Sequence, residues 1–481
     1  MPLQKLPVAK ANDLSRRKFI KQAVLAGSAF TIIPRFALGG NGFLAPSDTL
    51  YVAGIGVGGK GTVDVKGIAK NPKAKISFLC DVDDRQAEES RKNFPAAKYY
   101  KDFRVMLDKE AKNIDAVSVT TADHTHAVAA MAAMQRGKHV YVQKPLTHDI
   151  YEARMLTEAA KKYKVVTQMG NQFASADFVR TAKEWVDAGL IGEVTNVLTW
   201  SNRPVWPQGI PTPTGKHEIP KELDWDLWLG PVKQVEYNPV YHPFNWRGWW
   251  NFGTGALGDM ACHIMDPAFR ILPIDYPTEV ECSTTTAWSN FFEMADYKDS
   301  CPASSIIHMK FPRTDGKGNI TFTWMDGGLV PKHPDELLPD EVMGGGDLGN
   351  GYIFEGTKGK LMGNYNWGPV LLPTARMKEV TFPKQSIPRI PGAENGHYTE
   401  WVDACIAGYG KKELSSPFEY AGPFTEAVLM GNLAIRSYGM RNEKGFPGRK
   451  KLLWDAKNMK ITNFDEANQF VKREYRTGWS L

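Results

Sequence analysis

The sequence predicts an α/β protein in two parts: a doubly wound parallel sheet first, then an α+β domain built on an open, mostly antiparallel sheet. Three observations carry this expectation. A buried strand pattern at 49–53 runs directly into a glycine-rich turn and a helix pattern. Strand and helix patterns then alternate as far as residue 169, as they do when parallel strands are joined by crossover helices. After about residue 175 the alternation gives way to β-rich segments separated by Gly/Pro-rich loops. The expected boundaries are 1–42 for a leader and linker, 43–175 for the first domain and 176–481 for the second.

With 481 residues the chain has room for two cores, and 42% hydrophobic with 23% charged residues is ordinary for a globular protein. The net charge of +6 is interspersed with acidic residues rather than massed, which argues against nucleic acid as a partner. The five cysteines (Cys80, Cys262, Cys282, Cys301 and Cys405) form no CxxC pair, so neither a disulfide framework nor a metal site is expected. A Cys282–Cys301 bridge stays open as a pairing outside the cytoplasm.

The leader comes first. Ser15-Arg16-Arg17-Lys18-Phe19-Ile20-Lys21 precedes an apolar run from Ala23 to Ile33. An arginine pair, an aromatic two residues on and a short apolar stretch resemble a twin-arginine (Tat) export signal; the plainer reading is a basic amphipathic helix. The run is too short for a stable membrane span. The expectation is export to the periplasm by the Tat machinery, with cleavage near Ala37-Leu38-Gly39.

The strand at 49–53 enters Gly54-Ile55-Gly56-Val57-Gly58-Gly59, a G-x-G-x-x-G match, with Gly61 just beyond. The glycines permit a tight turn, close approach of backbone to a pyrophosphate, and close packing of the next helix, expected from about 61 to 70. That helix would aim its free N–H groups at the phosphates. A second strand, 75–80, ends at Asp81, placed to accept hydrogen bonds from an adenosine ribose and to repel a 2′-phosphate. This favours NAD over NADP; helix capping is the other use for Asp81. Further strands are expected at 114–120, 139–142 and 165–169, with helices at 127–136 (closed by Gly137) and 150–163. The loops at 120–126, 143–145 and 170–172 then lie at the carboxyl ends of the strands, where such sheets bind ligands.

At Gln143-Lys144-Pro145 a strand ends in a motif similar to the Glu-Lys-Pro of the Gfo/Idh/MocA oxidoreductases, with Gln143 in place of Glu. The glycine-rich stretch from Gly253 leads to Asp259-x-x-x-His263, which also resembles that family. The resemblance implies a Rossmann domain, Lys144 as catalytic lysine, and a loop carrying Thr121 and His126 near the nicotinamide ribose. Capping of the next helix by Asp123 or Thr125 is the alternative for that loop. Cofactor contacts are thus expected from Gly54, Gly56, Gly59, Asp81, Thr121, His126 and Lys144.

Oxidising an alcohol removes a hydride from carbon and a proton from oxygen. A histidine suits the base and a lysine ammonium suits the developing alkoxide. The expected roles are His263 as general base, Lys144 as electrostatic stabiliser and proton relay, and Asp259 as substrate-positioning residue or as the group that orients His263. Asp259 and His263, four apart, share a helix face.

After a helix at 177–188, strands are expected at 193–200, 278–287, 303–311 and 319–324, in a sheet with one face on a core and one free for substrate or a partner subunit. The loop from Arg203 to Trp250 is long, and carries Trp206, Trp225, Trp228, Trp246, Trp249 and Trp250. Its tryptophans either pack beneath the loop or present faces to a sugar ring; Trp246 and Arg247 are the substrate-lining candidates. Helical spacing recurs at Tyr398, Trp401, Val402 and Cys405, and at Ala427, Met430, Leu433 and Ala434. Together these features point to an exported enzyme with tightly held NAD that moves a hydride to or from a hydroxyl carbon of a sugar, glycoside or polyol. An NAD-dependent glycosidase without net redox change is the alternative, and a homo-oligomer is the expected assembly.

Overall fold

Continuous apolar runs need burial on both faces, and the first sheet supplies it. Its strands are β1 (Leu50–Ile55), β2 (Ala74–Cys80), β3 (Lys98–Tyr100), β4 (Ala116–Val119), β5 (His139–Gln143) and β6 (Thr167–Gly170). All six are parallel, in the order β3-β2-β1-β4-β5-β6. Strand order reverses beside β1, which opens a crevice at the carboxyl ends. Every residue of β4 is buried. The structure, a computed structural model, describes residues 48–346, 349–365 and 367–481. The twin-arginine segment, its apolar run and the expected cleavage region lie outside the described residues.

Between these strands run α1 (Lys60–Ala69), α2 (Asp84–Asn93), α3 (Phe103–Glu110), α4 (Asp123–Gln135) and α5 (Ile150–Tyr163). Helix α5 begins with a capping box: the Asp149 side chain accepts from the Glu152 backbone N–H, and Glu152 reaches back to the N-cap. Helix α4 starts four residues earlier than the expected Ala127, because Asp123, His124, Thr125 and His126 are all buried despite their polarity.

After α6 (Asp177–Asp187) come β7 (Val194–Ser201), α7 (Trp225–Leu229), α8 (Gly255–Ile264), α9 (Asp266–Ile271) and β8 (Glu279–Thr284). A hairpin of β9 (Trp288–Asn290) and β10 (Glu293–Met294) stands apart from the main sheet. Then follow β11 (Ser305–Pro312), β12 (Asn319–Met325), β13 (Asn350–Gly356), β14 (Gly359–Gly363), β15 (Val370–Leu372), α10 (Arg376–Glu379), α11 (Ala393–Ala407), α12 (Phe418–Tyr438), β16 (Leu452–Asp455) and β17 (Lys460–Ile461). The second sheet has nine strands, ordered β15-β14-β13-β7-β12-β11-β8-β16-β17. Only β7 and β12 pair in parallel.

Alternation places Ile307, Met309 and Phe311 of β11 in the core, with α12 packed over β8 and β11. The opposite face is not uniformly free as expected. At the β13–β14 end, Trp200, Leu337, Met343, Ile353 and Met362 form a separate buried cluster. Helix α11 packs on the first sheet instead of the second: Tyr398, Trp401, Val402 and Cys405 share a cluster with Val52, Val65 and Ile68. All five cysteines are free, so the Cys282–Cys301 bridge does not form.

Candidate active site

The crevice beside β1 is a cavity of about 510 Å³ that contains the glycine turn, Asp81, Thr121, Lys144, Trp246, Arg247, Asp259 and His263. Its floor is the turn after β1. Gly56 has φ of +73°, and a Cβ there would lie 2.6 Å from the Thr120 carbonyl oxygen. A Cβ on Gly61 would lie 1.9 Å from the Gly56 carbonyl oxygen, so the helix can follow the turn this closely only with glycine at 61. A Cβ on Gly59, φ +51°, would meet nothing within 4 Å, which leaves that side of the turn open to a ligand.

Asp81 closes the turn from β2. Its Oδ2 accepts from the N–H groups of Val57 (2.8 Å) and Gly58 (3.2 Å), and its Oδ1 accepts from Asp83 N–H (3.0 Å). Burial lifts its pKa, and these three N–H groups act against that lift. Each carboxylate oxygen has lone-pair capacity beyond these bonds, so bracing the turn does not exhaust Asp81 as an acceptor. An open phosphate cradle with an acid at the next strand end fits a dinucleotide.

The catalytic candidates converge from distant segments. Lys144 leaves β5 and points at α8, where its Nζ donates to the Asp259 carbonyl oxygen (2.6 Å) and Asp259 Oδ1 (2.8 Å). Arg247 Nε approaches the same Oδ1 at 3.4 Å, its guanidinium lying over the rings of Trp246 (4.2 Å) and Phe244 (4.5 Å). Burial would raise the Asp259 carboxyl, but the two cations override it and hold the pKa at about 2. Asp259 therefore steadies Lys144 and does not hydrogen-bond His263. Lys144 has three N–H groups and two of them are used, which leaves one for a reacting oxygen.

His263 sits one turn further along α8, packed edge-on to Phe173 (5.7 Å) and near Tyr365 (5.9 Å). Burial, together with the Lys144 ammonium, pushes its pKa down to about 3. Its Nδ1 is buried without a hydrogen-bond partner. The ring is neutral near pH 7, and the burial and ammonium that keep it so also weaken it as a proton acceptor.

His126 departs from its expected place. It is 1% exposed, with Nδ1 on the Pro145 carbonyl (2.9 Å) and Nε2 on the Thr121 carbonyl (3.0 Å), and it does not line the cavity. It ties the Thr121 loop to the Lys144–Pro145 segment. Thr121 does line the cavity, and its hydroxyl accepts from Thr125 Oγ1 (2.7 Å). Most of the tryptophans turn inward: Trp225 stacks on Trp228 (4.6 Å) inside a cluster with Trp246, Trp249 and Phe252. Of these, Trp228 and Trp246 also touch the cavity.

Two features escape sequence reasoning. Asp64 on α1 is fully buried and accepts from Gln143 Nε2 (2.8 Å), Thr120 Oγ1 (2.8 Å) and Tyr398 O–H (2.8 Å), with Lys60 Nζ at 3.0 Å. The amide at Gln143 is thus the donor this carboxylate needs. Asp123 accepts from Thr254 Oγ1 (2.6 Å), joining the start of α4 to the start of α8. In sequence, Lys60 and Asp64 look like a solvated i,i+4 pair, so only the departure at Gln143 hinted at the first network. Among the described residues, no group of three or more His, Cys, Asp or Glu side chains is placed to hold a metal ion.

A parallel sheet with an open glycine cradle, flanked by a lysine and a neutral histidine, defines the nucleotide-dependent oxidoreductase class. The chain belongs to the Gfo/Idh/MocA oxidoreductase family: the family's NAD-binding Rossmann fold matches residues 50–171, and its C-terminal alpha/beta domain matches 178–298. Levoglucosan dehydrogenase of Pseudarthrobacter phenanthrenivorans is 26% identical over 195 residues, 40% of this chain and 40% of its own. Myo-inositol 2-dehydrogenase of Thermotoga maritima is 29% identical over 140 residues, 29% of this chain and 41% of its own. The matches thus span about two fifths of these relatives' lengths. In fold, the chain is similar to the WlbA dehydrogenase of Bordetella pertussis, solved with NADH and UDP-GlcNAcA (TM-score 0.55, 15% identity, 82% of this chain and 98% of that one).

Proposed function

We propose that this chain is an NAD-dependent oxidoreductase that moves a hydride between the cofactor and a hydroxyl carbon of a sugar, glycoside or polyol. The observation that carries the reading is the convergence of Lys144 and His263, 119 positions apart, on the cavity that holds the glycine turn. The named relatives act on an anhydrosugar and an inositol, which supports the substrate class. Asp81, a carboxylate where an NADP phosphate would sit, supports NAD.

When bound, NAD supplies the hydride acceptor. The remaining work falls to the chain. The free N–H of Lys144 donates to the reacting hydroxyl and stabilises the alkoxide as it forms. Neutral His263 takes the proton. Asp259 and Arg247 keep the Lys144 ammonium in one orientation, and Trp246 with Arg247 offers a flat wall for the substrate. Gly56 and Gly59 with Thr121 seat the cofactor, while Gly54, expected to join them, lies beneath the turn against the Val57 and Val65 side chains and does not line the cavity.

We assign the leader to the Tat machinery and the mature protein to the periplasm. The support is the Arg16-Arg17 motif, and a firmly held NAD follows because no cytoplasmic pool is in reach. A second copy of this chain is the expected partner; Trp288, Phe291 and Phe292 on the β9–β10 hairpin are 56%, 86% and 83% exposed, which supports self-association. Among the described residues no helix is long and apolar enough to cross a membrane.

The test is to load the purified protein with NAD and follow NADH absorbance and released aglycone over monosaccharides, inositols and aryl glycosides. Stoichiometric NADH without cleavage is expected. Many turnovers of cleavage without NADH would replace this reading with the glycosidase, and silence across the panel would remove the activity altogether.

A further inference from the structure

Away from the catalytic crevice, the second domain holds a cavity of about 330 Å³ between the 284–303 segment, the end of α12 and Phe470. It shares no lining residue with the catalytic cavity. Three arginines line it: Arg436, Arg441 and Arg449. Among the described residues none of them has a carboxylate within ion-pair distance, although Asp296 and Asp299 are also in the wall. Asp299 accepts instead from Thr212 Oγ1 (2.6 Å).

The arginines are held by other means. The Arg436 guanidinium lies over the Phe470 ring (4.2 Å) and near Trp250 (5.7 Å), and no hydrogen bond to it forms among the described residues. Arg441 is pinned to the loop through the carbonyl oxygens of Met294 and Ala295. Arg449 stacks on Phe446 (3.5 Å) and Tyr438 (4.6 Å). A guanidinium carries five N–H donors; Arg436 is half-buried without an acceptor, while Arg441 and Arg449 are exposed at the mouth. Burial pushes Arg436 down to about 10, the direction expected of a cation lacking its counter-charge. Aromatic faces fix Arg436 with its donors unspent and Arg449 with one donated to Met294 Sδ (4.0 Å), Arg441 keeps the donors not used on the loop, and Thr284 and Thr286 complete the wall.

We propose that this cavity is a second binding site for a small anionic molecule, a carboxylate- or phosphate-bearing compound of monosaccharide size, held by Arg436, Arg441 and Arg449. Two guanidiniums in fork geometry suit either oxyanion. The site is separate from hydride transfer, so its failure would leave the proposed activity standing.

Titrate the full-length, NAD-saturated protein calorimetrically with inorganic phosphate and with D-glucuronate, using D-glucose as the neutral control. Saturation with NAD closes the pyrophosphate cradle to the probes. Either anion should give a binding heat that Arg436→Met/Arg449→Met weakens about tenfold or more, whereas any heat from glucose, which belongs to the catalytic crevice, should be the same in the variant. Exposed Arg449→Met alone serves if the double variant does not fold. Phosphate binding without glucuronate, or the reverse, names the headgroup. No heat with either anion, or unchanged affinity in the variants, overturns the proposal. So does a wild type that binds neither anion but loses its oligomeric mass when Arg449 is changed, since a second copy would then supply the counter-charge.

Discussion

Lys144→Met tests the site most directly, because it keeps side-chain length and removes the charge. Two effects follow, and they separate. The first is catalytic. The substituted enzyme lacks the ammonium that meets the developing alkoxide, and loss of one such donor costs about 10²–10³ in kcat. NAD affinity should change little, since the glycine turn and Asp81 are untouched. The second is on stability. Asp259 titrates at about 2 against an ordinary 3.8, and both side chains are only 15% exposed. At 1.36 kcal/mol per pH unit, that gap is worth about 2 kcal/mol. The folded carboxyl titrates below its unfolded value, so this contribution is complete above about pH 4 and is lost as pH falls through about 2. Urea midpoints of wild type and Lys144→Met should therefore differ at pH 7 and draw together toward pH 3. Adding Asp259→Asn removes the carboxylate then left with Arg247 alone, and it should restore part of the stability but none of the rate. Stopped-flow NADH absorbance with a reacting sugar from the panel reads the first effect, and urea titration reads the second. A Lys144→Met enzyme within threefold of the wild-type kcat would refute the assignment of the alkoxide to this ammonium.

Four further outcomes follow from the same geometry. His263, held at about 3, is neutral above that pH, so kcat/KM should show no acid break near 6.5; a break there that His263→Ala removes would contradict its burial. Gly61→Ala drives a Cβ to 1.9 Å from the Gly56 carbonyl and should abolish NAD binding by calorimetry, whereas wild-type affinity in this variant would mean the turn is not the cradle. Gln143→Glu sets a second carboxylate against Asp64, which now accepts from the Gln143 amide at 2.8 Å. One of the paired acids must titrate high, so the loss of about 1–3 kcal/mol should grow as pH rises and shrink toward pH 4; a pH-independent change would show that the pair is screened. Phe291→Ser/Phe292→Ser should lower the mass seen by light scattering, and an unchanged assembly would place the interface elsewhere.

Helix α5 has the expected ends, its start capped by Asp149 and Glu152, and five of the six parallel strands were legible as apolar runs, β3 at the half-exposed edge being the exception. Strands β13 to β15 were not, since Asn350-Gly351 and Gly359 interrupt the pattern and their burial comes from Trp200 and the 337–343 segment. In the site, Lys144, Asp259 and His263 stood out by motif and do meet in one cavity. His126 did not behave as expected: a polar residue at a strand exit gives the same signal whether it faces a ligand or braces two carbonyls. The Asp64 network was invisible because Tyr398, one of its donors, is 334 residues away.

That distance has a consequence for biosynthesis. Tyr398 sits so close to α1 that a Cβ on Gly67 would lie 2.7 Å from its ring, and Arg473 reaches back to Glu152 (2.6 Å) and the His124 carbonyl (2.5 Å). A nascent polypeptide of 175 residues already contains every strand of the first sheet, yet it lacks these late clamps. The nucleotide crevice gains these supports only once residue 473 has been made, long after the last strand of the first sheet. A chain that stops before Arg473 holds every strand of the first sheet but lacks the clamp on the His124 carbonyl, beside the crevice.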